Sequence, residues 1–74
     1  MFIEMTGKTL SGMLTEDELS MGSLEDVGVT DDTVVRVNKQ GDIEVRRSEG
    51  WDIIGGLLGE FEGRVKKATS LDWA

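Results

Sequence analysis

Carboxylates are the side chains of this sequence best suited to chemistry. They occur in three clusters: Glu16-Asp17-Glu18, Glu25-Asp26 and Asp31-Asp32. Acid/base catalysis by paired carboxylates requires a buried pair whose pKa values are pushed apart. These acids lie in predicted helix caps and turns, where solvated carboxylates are expected, so the sequence predicts no catalytic residue.

The chain contains no cysteine and no histidine. It therefore lacks a thiol nucleophile, a zinc-thiolate site and an imidazole to serve as general base or metal ligand. Thr30–Thr33 lacks the alternating oxygen ligands and central glycine of a calcium loop. Gly55-Gly56-Leu57-Leu58-Gly59 lacks the Gly-Lys-Ser/Thr ending of a phosphate-binding loop. We expect no enzyme activity, no cofactor and no metal.

Charge and length restrict the possible partners. The 74 residues predict a single domain, and the net charge of −7 disfavours nucleic acid and anionic membranes. No run is long and uncharged enough to span a bilayer. Met1-Phe2-Ile3-Glu4 lacks the basic start of a signal peptide. The sequence predicts a cytoplasmic protein.

The clearest structural signal lies in segment 32–47, DTVVRVNKQGDIEVRR, which predicts a central hairpin. A three-residue loop, Lys39-Gln40-Gly41, with Gly41 in the left-handed conformation, sets Arg36 opposite Glu44. The same register gathers four apolar residues on one face: Val35, Val37, Ile43 and Val45. A four-residue loop would split that face, so the three-residue loop is preferred. The apolar face needs a cover, whereas the charged face can remain in water.

The region before this hairpin predicts a second hairpin and two helical turns. In segment 1–14, Phe2–Met5 and Thr9–Leu14 are predicted strands joined by Thr6-Gly7-Lys8. In segment 15–28, Thr15 and Glu18 fit a capping box, and a second turn lies between Ser23 and Gly28. The predicted inward residues of this region are Leu19, Leu24, Val27 and Val29.

The last element is a predicted helix over 49–68, preceded by Ser48 as its cap. Its apolar arc comprises Trp51, Ile54, Leu57, Leu58, Phe61, Val65 and Ala68. Interior glycines oppose a helix, at about 1 kcal/mol each relative to alanine. Three of them, Gly55, Gly59 and Gly63, recur every four residues, a spacing that permits close approach of another backbone.

That glycine stripe has two interpretations. It either docks a protein partner or a second copy, together with Leu57, or it packs on the domain's own sheet. The tail, 69–74, raises the same alternatives. Trp73 either anchors a partner, as tryptophan does at binding hot spots, or folds back over the core edge. The basic residues Arg36, Lys39, Arg46 and Arg47 form a small positive patch, which is more simply a solvated face.

Several short sequence segments resemble segments of known protein families. Met1-Phe2-Ile3-Glu4-Met5-Thr6-Gly7-Lys8-Thr9-Leu10 resembles the first hairpin of ubiquitin. Residues 23–29 with Asp32–Val37 resemble the segment leading into a late ubiquitin strand. Val35–Asn38 with Ile43–Val45 is similar to the middle hairpin of small sulfur-carrier proteins, which share the β-grasp fold. This resemblance implies a β-grasp-like domain and a carrier processed after Gly56, although eighteen residues follow that position.

A second resemblance competes with the first. Gly28-Val29 followed by Asp32–Val37 and a hairpin is similar to the swapped-hairpin domains of bacterial transition-state regulators and antitoxins. It implies an interleaved dimer. A DNA-binding role would need a basic face, which the net charge of −7 opposes.

The sequence therefore predicts a small α+β domain. Two hairpins form a four-stranded, mainly antiparallel sheet, β-grasp-like, and the C-terminal helix covers its apolar face. The residues predicted to form that cover are Trp51, Ile54, Leu58, Phe61 and Val65. The predicted function is non-enzymatic protein–protein interaction through the helix and tail, as a small acidic adaptor or regulatory subunit. A processed carrier and an antitoxin-like dimer are the alternatives.

Overall fold

The computed structural model describes residues 1–15, 18–19 and 22–73. Its elements, in chain order, are β1 (Phe2–Thr6), α1 (Gly7–Met13), β2 (Val34–Asn38), β3 (Asp42–Arg47), β4 (Gly50–Gly56) and α2 (Phe61–Thr69). The strands form one four-stranded sheet in the order β1-β2-β3-β4, and every neighbouring pair is antiparallel. The predicted class, an α+β domain with a four-stranded antiparallel sheet, is confirmed.

The central hairpin has the predicted register. Arg36 faces Glu44, with Val35 opposite Val45 and Val37 opposite Ile43. Gly41 is left-handed, with φ of 92°. The Asn38 Oδ1 accepts hydrogen bonds from the backbone N–H groups of Gln40 (2.9 Å) and Asp42 (3.0 Å), which closes the loop. Local turn chemistry therefore determines this hairpin.

The predicted helix over 49–68 is wrong in its first half. Residues Gly50–Gly56 form the edge strand β4, and α2 begins only at Phe61. The pairing of β4 shifts between Ile43 and Glu44, so that Ile54 is an extra residue on β4. This bulge allows Ile54 to enter the core while Ile53 remains outside. Pairing with β3 satisfies the backbone of a glycine-rich segment that would form a poor helix.

The predicted second strand, Thr9–Leu14, is also wrong, because Gly7–Met13 form α1. The Thr6 hydroxyl accepts a hydrogen bond from the backbone N–H of Thr9 and caps the helix. Leu10 and Met13, one turn apart, are buried. The residues that resemble the hairpin turn of ubiquitin therefore begin a helix in this chain.

The segment between α1 and β2 follows the prediction in part. The Ser23 hydroxyl accepts from the backbone N–H of Asp26, and Gly28 ends that turn with φ of 77°. Val29 is buried, and the other predicted inward residues are half-buried: Leu19, Leu24 and Val27. Glu18 and Leu19 are not helical. The remainder of the predicted first turn, at Glu16, Asp17, Ser20 and Met21, lies outside the described residues.

Both helices pack on one face of the sheet. Leu10 and Met13 from α1 and Val65 from α2 share a core with inward strand residues, namely Ile3, Met5, Val35, Val37, Ile43, Val45 and Ile54. Of the predicted cover residues, Val65 is buried and Phe61 half-buried, as expected. Trp51 lies on the opposite face of the sheet, Ile54 belongs to the sheet itself, and Leu58 is exposed. Within the described residues, no helix has the length and apolar character needed to cross a membrane.

Candidate interaction surface

In the part of the chain that the structure describes, no helix packs on the other face of the sheet. Side chains alternate along a strand, so residues beside the buried ones point away from the core. We call this surface the open face. It comprises Phe2 and Glu4 of β1, Val34 and Arg36 of β2, Glu44 and Arg46 of β3, and Trp51 and Ile53 of β4.

Arg36 is the centre of the open face. Its Nε donates to the Glu44 Oε1 at 2.9 Å, and its Nη2 lies 2.8 Å from the same oxygen. The guanidinium carbon lies 3.7 Å from the ring centroid of Phe2 and 3.9 Å from that of Trp51. The cation is therefore held between two aromatic rings, an arrangement that the ring quadrupoles stabilise.

This arrangement changes the predicted character of the charged face. The pair of Arg36 with Glu44 was predicted, but as a pair left in water. Glu44 is instead only 8% exposed, and its partner Arg36 is held by the two rings. The sequence did not indicate the stacking, since Phe2 and Trp51 belong to the two edge strands and meet over Arg36 only when the sheet forms.

Exposed apolar side chains surround this cluster. Phe2 is 42% exposed, Val34 38% and Ile53 60%. All three lie on the open face. Tryptophan and arginine, which are the residue types most enriched at binding hot spots, lie among them. The open face thus has an aromatic and arginine centre with aliphatic surroundings.

A buried carboxylate lies on the other side of the sheet, among the helices and loops. Glu18 has a fully buried side chain, which contradicts the expectation that this acid is solvated. Its Oε1 accepts from the backbone N–H of Thr15 (2.7 Å) and from the Arg64 Nη1 (3.0 Å). Its Oε2 accepts from the backbone N–H of Leu58 (2.7 Å) and from the Arg64 Nη2 (2.5 Å).

These contacts set the ionisation of Glu18. Burial alone would raise the pKa of its carboxyl group. The hydrogen bonds from Arg64, Leu58 and Thr15 outweigh burial and lower the pKa from 4.5 to about 2. The group therefore remains ionised at neutral pH and has no proton to donate. Four hydrogen bonds occupy the two oxygens of the Glu18 carboxylate, which leaves no lone pair for a substrate. The role of this carboxylate is therefore structural.

The residues predicted to bind a partner do not form one surface. Gly55 is buried in β4, and Gly59 lies in the following loop with φ of 67°. Gly63 is exposed on α2, and Leu57 is in the core. The predicted helical glycine stripe is wrong, because the three glycines do not share a helix.

Trp73 is half-buried against α2. Its ring makes an edge-to-face contact with Phe61 at a centroid distance of 6.2 Å, and its Nε1 lies 3.4 Å from the Glu62 carbonyl oxygen, to which it donates. Trp73 therefore packs as expected of a tail folded over the edge of the core. Lys66 and Asp72 also approach each other within 3.3 Å.

The other candidate sites are a concavity at the protein surface and groups of acidic side chains. An open concavity at the β3–β4 turn is lined by residues 47–52. There the Arg47 guanidinium donates to the Val27 carbonyl oxygen and lies 3.5 Å from the Asp52 carboxylate. Across the part of the chain that the structure describes, no three acidic side chains converge as a metal site would require.

Comparisons with known proteins assign no family to this arrangement. Neither the protein-family models, nor the curated proteins, nor the solved structures gave a match.

Proposed function

We propose that this protein is a non-enzymatic protein-interaction module that binds a partner protein through the open face of its sheet. The observation that carries the proposal is the cluster of Arg36 between Phe2 and Trp51, with exposed Val34 and Ile53 beside it. An arginine already held by two rings and a carboxylate loses little side-chain freedom when a partner covers it.

Charge indicates the kind of partner. The net charge of −7 favours encounter with a basic protein and opposes association of two like-charged copies. We therefore assign the open face to a partner whose contact surface combines aliphatic side chains with positive charge. The setting proposed for this interaction is the cytoplasm, as expected from the sequence.

The other functions considered have less support. Processing after Gly56 would separate β4 from α2. Val65 of α2 is in the core and Arg64 of α2 donates to Glu18, so the cut would remove both contacts from the domain. The Gly56 backbone N–H also donates to the Glu18 carbonyl oxygen at 2.9 Å, which restrains this segment. An interleaved hairpin dimer finds less support because β2 and β3 already pair with β1 and β4 of the same chain.

Paired charge substitutions test the proposal. Ile53 (60% exposed, open face) and Leu71 (50% exposed, C-terminal tail) are matched aliphatic side chains. Wild type, Ile53→Glu and Leu71→Glu are used as baits in extracts of the source cell, and captured proteins are quantified by mass spectrometry. We expect a specific basic protein to be captured by wild type and Leu71→Glu but lost with Ile53→Glu. Loss only with Leu71→Glu would transfer the binding role to the tail and contradict the proposal.

A further inference from the structure

The two edges of the sheet differ in how they are covered. On the β4 edge, Leu19 forms a bridge with Gly55, and the Gly56 N–H donates to the Glu18 carbonyl oxygen. On the β1 side, the described residues add no backbone partner beyond β2. The edge of β1 is therefore the more open template for another strand.

Hydrogen-bond alternation shows which groups of β1 point outward. The Gly7 N–H donates to the Thr33 carbonyl oxygen at 2.8 Å, in register with the pairing of Met5 with Val35 and Ile3 with Val37. Bonded residues alternate along an antiparallel strand, so Ile3 and Met5 direct their N–H and C=O groups to β2. Phe2 and Glu4 direct theirs away from the sheet.

β1 has one charged side chain, the carboxylate of Glu4, and exposed Lys8 follows the end of the strand. Glu4 is exposed on the open face, and β1 contains no basic residue. Arg36 is opposite Glu4 but is engaged by Glu44 and two rings. Exposed Asp31 lies at the far end of β1, where its carbonyl oxygen accepts from the Lys8 N–H. A cationic side chain opposite Glu4 would gain a cross-strand charge pair.

We propose that the outer edge of β1 accepts an extended, lysine- or arginine-bearing segment of a partner protein as a fifth strand. The inference rests on the protein-binding function proposed above and specifies its partner. The incoming strand exchanges backbone hydrogen bonds with Phe2 and Glu4, and places a cation beside Glu4 on the open face. A second copy of this chain fits less well, because it would add its own acidic edge.

Proline at position 4 provides a selective test. Because the Glu4 N–H points away from β2, Glu4→Pro removes a donor from the outer edge and spares the ladder within the sheet. Glu4→Thr is the matched control, since it removes the charge but keeps the N–H group. Circular dichroism and urea unfolding verify that both variants are folded.

The probe is a fluorescent peptide of alternating valine and lysine, compared by anisotropy with one of alternating valine and glutamate. We expect wild type to bind the lysine peptide at least about tenfold more tightly than the glutamate peptide, with Glu4→Pro at least about tenfold weaker for the lysine peptide. Glu4→Thr should still bind the lysine peptide but prefer it over the glutamate peptide less strongly than wild type does, because the local charge pair is lost while the acidic net charge remains. Amide exchange should slow at Phe2 and Glu4 when the lysine peptide binds.

Several outcomes would overturn the inference. They are no binding of the lysine peptide to folded wild type, binding unchanged in Glu4→Pro, or amide protection at β4 instead of β1. A wild-type dimer in light scattering that Glu4→Pro dissociates would assign the edge to a second copy. If the captured partner is lost with Ile53→Glu but retained with Glu4→Pro, the open-face function stands and the added strand is wrong.

Discussion

Arg64 of α2 donates two hydrogen bonds to the carboxylate of Glu18, 46 residues earlier in the chain. The same guanidinium donates to the carbonyl oxygens of Met13 and Leu58. One ion pair thus joins the end of α1, the segment that follows α1 and the loop after β4 to α2. Because Glu18 is fully buried, the pair can exist only if these parts close around it.

The pKa of Glu18 predicts an acid-labile fold. Its folded-state pKa of about 2 lies below the ordinary glutamate pKa of 4.5, so the stabilisation from this carboxylate is complete above pH 4.5. The stabilisation decreases as pH falls through 4.5 and is lost near 2, with a contribution of about 3 kcal/mol. Urea unfolding, followed by tryptophan fluorescence at a series of pH values, measures this loss.

A matched substitution isolates the contribution of Glu18 from that of other acids. Glu62→Gln removes a surface carboxylate that lies 3.9 Å from Lys39, and it should preserve the steep acid dependence. Glu18→Gln should destabilise the protein at neutral pH and flatten the dependence. An equally steep acid dependence in Glu18→Gln would contradict the assignment.

Two glycine-to-alanine substitutions should have opposite effects. A Cβ atom at Gly55 would collide with the Glu18 carbonyl oxygen, so Gly55→Ala should lower the free energy of unfolding by about 1–3 kcal/mol. A Cβ atom at Gly63 meets open space on α2, so Gly63→Ala should raise it by up to about 1 kcal/mol. Thermal and urea unfolding of both variants measure these two changes in the free energy of unfolding. Equal effects would contradict the strand assignment of Gly55.

The stacked arginine should contribute to stability as well as to binding. Arg36→Gln removes the cation between Phe2 and Trp51 and leaves largely buried Glu44 without its partner. We expect a loss of about 1–3 kcal/mol in the free energy of unfolding. Arg46→Gln is the control, because Arg46 is exposed on the adjacent strand and should change stability by less than about 0.5 kcal/mol.

Chemical denaturation measures both arginine variants. A double-mutant cycle with Glu44→Gln then separates the ion pair from the ring contacts. If Arg36→Gln and Arg46→Gln are equally mild, the stacked guanidinium does not stabilise the sheet.

The sequence alone determined the central hairpin. Its information is local: alternating β-branched residues, a glycine that accepts positive φ at position 41, and an asparagine before the loop. These features also predicted that Arg36 faces Glu44. The turn from Ser23 to Gly28 followed from local capping in the same way.

Only the tertiary structure decided the conformation of Gly50–Gly56 and Gly7–Met13. The apolar residues around β4 have helical spacing, but pairing with β3 supplies its backbone hydrogen bonds, and the close approach of Glu18 requires glycine at position 55. Similarly, Gly7 is required where α1 begins, because the Thr30 carbonyl oxygen occupies the space of a Cβ atom.

The same distinction between local sequence information and tertiary contacts applies to the candidate surface. The pair of Arg36 with Glu44 could be predicted because both residues belong to one hairpin with a local turn. Phe2 and Trp51 reach Arg36 from the two edge strands, and Glu18 meets Arg64 across most of the chain. Contacts between residues distant in sequence depend on how the whole chain packs, so the spacing of residue types could not reveal them.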